Sequence, residues 1–229
     1  MKNILTLLLL SALSLGACRS IRSGDFHAKN ALPERLPRLG LLVHERSFLE
    51  AFDHELGSEW VVSPRPYGPE PWFAYETTDQ ALEDVFHLLG NELNDNLNQP
   101  EGVRYGHARY KLLHYDRRNP GWGWLIPSVG TLWTANLLGM PYANLRSELE
   151  LQLEITDAEG KVLLRYVAPG VGKAKIALYY GYPQSQAIRK ANLLALKDAM
   201  NHIKQKMAAD VPMLTEKLLA VGSIKEVEK

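Results

Sequence analysis

The sequence predicts an α+β domain of two layers: a largely antiparallel sheet, two long helices on one face, and an apolar insert rich in glycine, proline and tryptophan. Three observations carry this reading. Residues 148–155 alternate strictly, with Leu149, Leu151, Leu153 and Ile155 on one side and Glu148, Glu150, Gln152 and Glu154 on the other. Such a strand has one dry and one wet face, as antiparallel sheets do. Ala187, Ala191, Ala195, Ala199, Ile203 and Met207 recur every four residues, a helical stripe of mostly small side chains that lets a helix lie close against a sheet. Residues 119–145 contain no Asp, Glu, Lys or Arg, although Arg118 precedes them and Arg146 follows.

From the amino terminus, Lys2 supplies a positive charge and residues 4–15 form an apolar run broken only by Thr6, Ser11 and Ser14. Small residues then lead to Cys18. This is the layout of a secretory signal. A spanning helix needs about 20 apolar residues, more than this run supplies. Leu15-Gly16-Ala17-Cys18 resembles the lipobox of bacterial lipoproteins. The resemblance implies cleavage after residue 17, a diacylglycerol on the Cys18 thiol and an acylated new amino end, palmitate being such a chain. It implies no Asp-type inner-membrane retention signal, because Arg19 follows Cys18. The expected location is the outer membrane, with the domain facing the periplasm. Cys18 is the only cysteine, so no internal disulfide forms.

Removing 17 residues from 229 leaves a mature chain of 212, the size of one medium domain. Residues 18–37 read as the lipidated cysteine and a flexible tether, with a reach on the order of 20 Å. Residues 38–212 read as the domain and 213–229 as a charged, frayed tail. The formal charge is zero and 46 % of residues are hydrophobic. Neither a nucleic-acid partner nor general attraction to anionic lipid is expected from that balance.

Within the domain, residues 39–48 read as a first strand. Residues 63–71 hold four prolines and read as an extended, polyproline-like loop that packs Trp72 and Phe73 onto the body. Thr78 or Asp79 caps a helix to about Asn96, with Ala81, Leu82, Val85, Phe86, Leu89 and Leu93 at helical spacing. Glu83, Asp84, Glu92 and Asp95 are expected largely on its wet side. Residues 103–116 read as a strand with Ala108, Tyr110 and Leu112 on one face. The 148–155 strand follows, then a turn at 157–160 and a hairpin partner over 161–168. Residues 169–183 read as a glycine-bearing loop with a short strand through 174–180. The last long helix runs from about 184 to 209, and Pro212 is expected to end it. This order, with the 157–160 turn and the alanine-rich last helix, resembles the TolB amino-terminal-like and CsgG-like group of small periplasmic lipoprotein domains over residues 38–209. The insert departs from that group's minimal plan.

Chemical motifs are sparse. Gly170-Val171-Gly172-Lys173-Ala174 lacks the first glycine and the final Ser or Thr of a phosphate loop. None of the seven histidines opens an HExxH pattern. His107 and His114, seven apart, face opposite ways on a regular strand. Asp25, Asp53, Asp79, Asp116 and Asp157 lie near turns or element ends, and no spacing pairs them for acid–base work. No cofactor, metal or enzymatic activity is therefore expected. Pro120, Pro127 and Pro141 interrupt the insert, as do Gly121, Gly123, Gly130 and Gly139, so it does not cross a bilayer as one helix. A shorter helix from Ser128 to about Gly139 is expected. Trp122, Trp124, Leu125, Trp133 and Leu137 are the candidate contact residues, for the domain's own core, for envelope lipid or for an envelope protein. Trp122, Trp124 and Trp133 belong to the residue type that favours membrane–water boundaries. The expected role is lipid-anchored binding or scaffolding. A subunit of an outer-membrane secretion or assembly complex comes next, and a metal-dependent hydrolase last.

Overall fold

The computed structural model describes residues 20–28, 30–52, 61–65, 72–76, 80–118, 126, 128–131, 134–137, 141, 143–177, 182 and 184–224. Its elements run β1 (Leu39–Val43), α1 (Glu45–Phe52), β2 (Val61–Arg65), β3 (Trp72–Glu76), α2 (Gln80–Asn91), β4 (Gly106–Arg118), α3 (Thr134–Leu137), β5 (Ala143–Asp157), β6 (Val162–Ile176), α4 (Gln184–Met207) and α5 (Val211–Val221). The main sheet has the order β1-β4-β5-β6. Its β4–β5 and β5–β6 pairs are antiparallel and its β1–β4 pair is parallel. β2 and β3 form a separate antiparallel pair. The architecture is the expected α+β one, with a largely antiparallel sheet and two long helices.

Alternation in β5 becomes burial. Leu149, Leu151, Leu153 and Ile155 lie in the main core with Ala108, Tyr110 and Leu112 of β4, and α2 and α4 cover them. Asp157 makes the turn by accepting the Glu159 and Lys161 N–H groups on its Oδ1, at 3.0 and 2.9 Å. Gly160 has φ 83° there, the left-handed backbone that favours glycine.

The glycines of 169–173 belong to β6, not to a loop. β6 runs unbroken to Ile176 and pairs with β5 as far as Ala143. A Cβ on Gly170 would meet the Ala195 carbonyl oxygen at 2.0 Å, and one on Gly172 would meet that of Ala191 at 1.9 Å. Glycine on the strand and alanine on the helix are two halves of one close contact. β5 also takes Ala143 to Leu145 from the expected insert.

Other expectations are corrected by packing. The first strand stops at Val43, and Glu45 opens a helix instead. Ser47 N–H bonds the His44 carbonyl at 2.9 Å, closing the first turn, and Phe48 and Leu49 are buried together. Ser63 to Arg65 are strand rather than loop, and the side chains of Trp72 and Phe73 lie outside the described residues. Pro212 begins α5 rather than ending the fold. It stands in the first turn, where its missing N–H costs nothing, and Leu214 and Leu218 bury into the core. Thus 213–221 is not a frayed tail.

The expected tether packs on the body. Leu32 and Leu36 are buried in the core, and Ile21 and Phe26 pack against it. Leu36 N–H bonds the Leu97 carbonyl, and Gln99 N–H bonds that of Leu36, both at 2.9 Å. Two leucines one helical turn apart hold more apolar area than a solvated spacer tolerates. Asp84 and Glu92, expected on a wet face, are buried beside cations of α4. Arg189 grips Asp84 with two bonds of 2.7 and 2.8 Å, and Lys204 pairs with Glu92.

Candidate functional site

α4 carries Lys190, Lys197 and Lys204 at seven-residue intervals, which places them on one side of the helix two turns apart. All three hold the amino-terminal segment. Lys190 Nζ lies 2.6 Å from Asp25 Oδ1. Lys197 Nζ donates to the His27 carbonyl at 2.9 Å. Lys204 Nζ donates to the Asn30 carbonyl. Residues 25–30 therefore run in the direction of α4, and the chain joins the body beside the first turns of that helix. Partial burial opposes ionisation of Asp25. The Arg22 N–H, Lys190 and Lys197 outweigh it and hold the carboxyl below its ordinary value. Burial, and then Lys190, push the Lys197 ammonium down.

The same end of the domain receives the insert. β6 lies antiparallel to α4, since Gly170 faces Ala195 and Ala199 whereas Gly172 faces Ala191. Ala143, Leu145, Ala174, Ile176, Ala187 and Ala191 meet in a second, smaller core cluster. The insert leaves at Arg118, which lies opposite Arg146, and returns at Ala143. The excursion through β2 and β3 also starts and ends here. Phe52, the last residue of α1, lines a small cavity with Asp84, Arg189 and Asn192. Gln80, the first residue of α2, accepts a 2.7 Å bond from Arg189. All five tryptophans lie in these two excursions: Trp60 and Trp72 in 53–79, and Trp122, Trp124 and Trp133 in 119–142. That convergence depends on strand register and helix direction, so no local motif announced it.

Leu15, Gly16, Ala17, Cys18, Trp122, Trp124, Leu125 and Trp133 lie outside the described residues. Leu137 ends α3, and its side chain is likewise outside them. Among the described parts of the insert, Ile126 and Val129 are 74 % and 55 % exposed. Ser128 and Asn136 are buried. Helix is present at 128–130 and again in α3, with a turn at Thr131 where one run was expected, and Gly139 lies outside the described residues.

A cleft of ≈640 Å³ lies where α1 crosses β4 and includes His44, Ser47, Glu50, Phe52, Tyr115 and Asp116. Ser47, Glu50 and Asp116 are engaged in local structure. The Ser47 hydroxyl donates to the His44 carbonyl at 2.7 Å and accepts the Leu112 N–H at 3.1 Å. Glu50 pairs with Arg46 and Asp116 with Arg118, each at 2.7 Å. A β-bulge between Leu112 and His114 shifts the register by one. His107 and His114 therefore share the solvent face, not opposite faces. Asp25 and Asp157 serve Lys190 and a turn, respectively, while Asp53 and Asp79 fall outside the described residues. Among the described residues no three His, Cys, Asp or Glu side chains are grouped to hold a metal ion. No described helix is long and apolar enough to cross a membrane. No protein-family model and no curated protein matches the chain.

Proposed function

We propose that this protein is a lipid-anchored lipoprotein of the outer membrane, facing the periplasm, with a non-catalytic binding or scaffolding role. Cys18 carries the acyl chains. The insert, through Trp122, Trp124, Leu125, Trp133 and Leu137, contacts envelope lipid or an envelope protein. The observation that carries the reading is the convergence of the amino-terminal strap and both ends of the insert at one end of the domain. Exposure of Ile126 and Val129 within the insert supports it, since exposed apolar side chains are available for contact.

Packing of Ile21 on the core shortens the reach. Ile21 stands three positions after Cys18, a span of at most about 10 Å. A lipid on Cys18 therefore holds the body against the bilayer. Mass analysis of the mature amino end tests the anchor: a diacylglyceryl adduct on Cys18 is expected, lost together with membrane fractionation in Cys18→Ser. An unmodified, soluble wild-type protein refutes it. For the insert, flotation with neutral vesicles is measured on the chain from Ser20. A blue-shifted tryptophan emission that Trp124→Ala/Trp133→Ala abolishes without unfolding supports lipid contact. Loss of the whole fold in that variant returns both residues to the core.

A further inference from the structure

Zero formal charge conceals a local separation. On the solvent face of the sheet, Arg118 lies opposite Arg146, and Arg146 opposite Lys173. Three cations thus stand side by side across three strands. Like charges directly opposite one another weaken a sheet, so the row does nothing for the fold. It is only partly neutralised, by Asp116 on Arg118 at 2.7 Å and Glu148 on Arg146 at 2.5 Å. The Arg118 and Arg146 side chains remain 66 % and 41 % exposed, and Lys173 and Lys175 are exposed as well. On this face Arg118, Arg146, Lys173 and Lys175 stand against Asp116 and Glu148, four cations to two carboxylates.

The position of this row selects its partner. It borders the two ends of the insert, which leaves the sheet at Arg118 and returns at Ala143. It also lies at the end of the body where the strap joins α4. Cations set in a row at the end of the body that the strap reaches through Lys190 are placed to meet anionic headgroups. We propose that Arg118, Arg146 and Lys173, with Lys175, form a headgroup-binding row that seats this end of the domain on anionic phospholipid. The proposal rests on the reading that Cys18 places this end at a membrane.

The test uses the chain from Ser20, which keeps both core clusters and lacks the acyl site; its fold is checked by circular dichroism. Cosedimentation is compared on phosphatidylcholine vesicles with and without about 30 mol % phosphatidylglycerol. Wild type binds the anionic vesicles far better than the neutral ones. Binding weakens at least about tenfold as salt rises from about 50 to about 200 mM. Arg118→Gln/Arg146→Gln/Lys173→Gln weakens it about a hundredfold, at a factor of about five per basic residue near an anionic surface. Arg104→Gln/Lys161→Gln/Lys217→Gln removes the same charge from the far end and leaves binding unchanged. Equal losses in both variants, or equal binding to both vesicle types, overturn the proposal. So does abolition of binding by inorganic phosphate at constant ionic strength, which would make the row a free-phosphate site. An unlipidated Cys18 with intact vesicle binding would sink the anchor reading alone, and the reverse outcome would sink only the row.

Discussion

Gly172→Ala is a one-carbon change whose effect follows from the packing of α4. The added Cβ would lie 1.9 Å from the Ala191 carbonyl oxygen and 2.6 Å from the Ala195 nitrogen. Ordinary contact needs about 3.2 Å or more, so helix and strand must separate by over about 1 Å. The clashing atoms are helix backbone, so no side-chain rotation relieves them. Withdrawal loosens Ala187, Ala191, Ala195 and Ala199, all 0 % exposed. Overpacking costs about 1–3 kcal/mol, and a backbone clash belongs at the upper end. In a domain of this size, about 3 kcal/mol lowers Tm by about 6–12 °C. Thermal and urea unfolding measure it. Gly24→Ala, whose Cβ meets nothing within 4 Å, serves as the control and should stay within about 0.5 kcal/mol of wild type. If Gly172→Ala unfolds with the wild-type midpoint, α4 does not lie on β6 at this spacing, and the account of the paired glycine and alanine stripes is wrong.

Lys204→Met strips the cation from Glu92, which is 2 % exposed, and should cost about 3–5 kcal/mol in urea unfolding. Glu92→Gln/Lys204→Met should recover most of that loss; an equal loss in both would show that packing, not charge, decides. The Tyr110 hydroxyl is buried without a hydrogen-bond partner among the described residues, and burial pushes its ionisation far above the ordinary 10.0. Tyr110→Phe should therefore be neutral or stabilising by up to about 1 kcal/mol, and a clear destabilisation would reveal an unseen partner. Asp25 ionises more readily in the folded chain than at its ordinary 3.8. Its contribution is complete above that pH and is lost as pH falls through the lower folded value. Amide exchange in residues 21–28 should accelerate across that window ahead of exchange in β5, and Asp25→Asn should abolish the pH dependence.

Local pattern specified the elements wherever one physical demand acted on each residue. β5 shows this best, because its alternation answers only to one wet and one dry face. The misreadings fall where one residue type serves two ends. Gly170 and Gly172 look like turn formers, yet their use is to admit a helix backbone. Pro212 looks like a stop, yet it is equally suited to a helix start. Leu32 and Leu36, each followed by a proline, were hidden in a polar segment, and their burial depends on Asn96 and Leu97, just past α2, lying beside them. The bulge in β4 did leave a trace, since Leu112 and Leu113 break the alternation, and Leu113 is indeed turned outward at 43 % exposure. Asp84 and Glu92 followed helical spacing only if carboxylates stay wet, and Arg189 and Lys204, over a hundred residues away, removed that condition.

The assembly at one end is of another kind, because no segment encodes it alone. The order β1-β4-β5-β6 turns the far end of β4, the start of β5 and the close of β6 to one side. The antiparallel lie of α4 on β6 brings the first turns of that helix there, and three lysines then bring the strap. A consequence follows for the proposed anchor. β5 has 15 residues and spans about 50 Å, whereas the link from Cys18 to the packed strap spans about 10 Å. An acylated Cys18 would fix the orientation: the 157–160 turn would point away from the bilayer, and the ends of the two tryptophan-bearing excursions would lie toward it. A soluble periplasmic partner would then meet the turn and the acidic middle of β5, while lipid or a membrane-embedded partner would meet the insert. The lysines of α4 govern the choice, because a strap freed from them but still held at Leu32 and Leu36 becomes about 14 residues of flexible chain with a reach near 20 Å, and that reach would let the body turn.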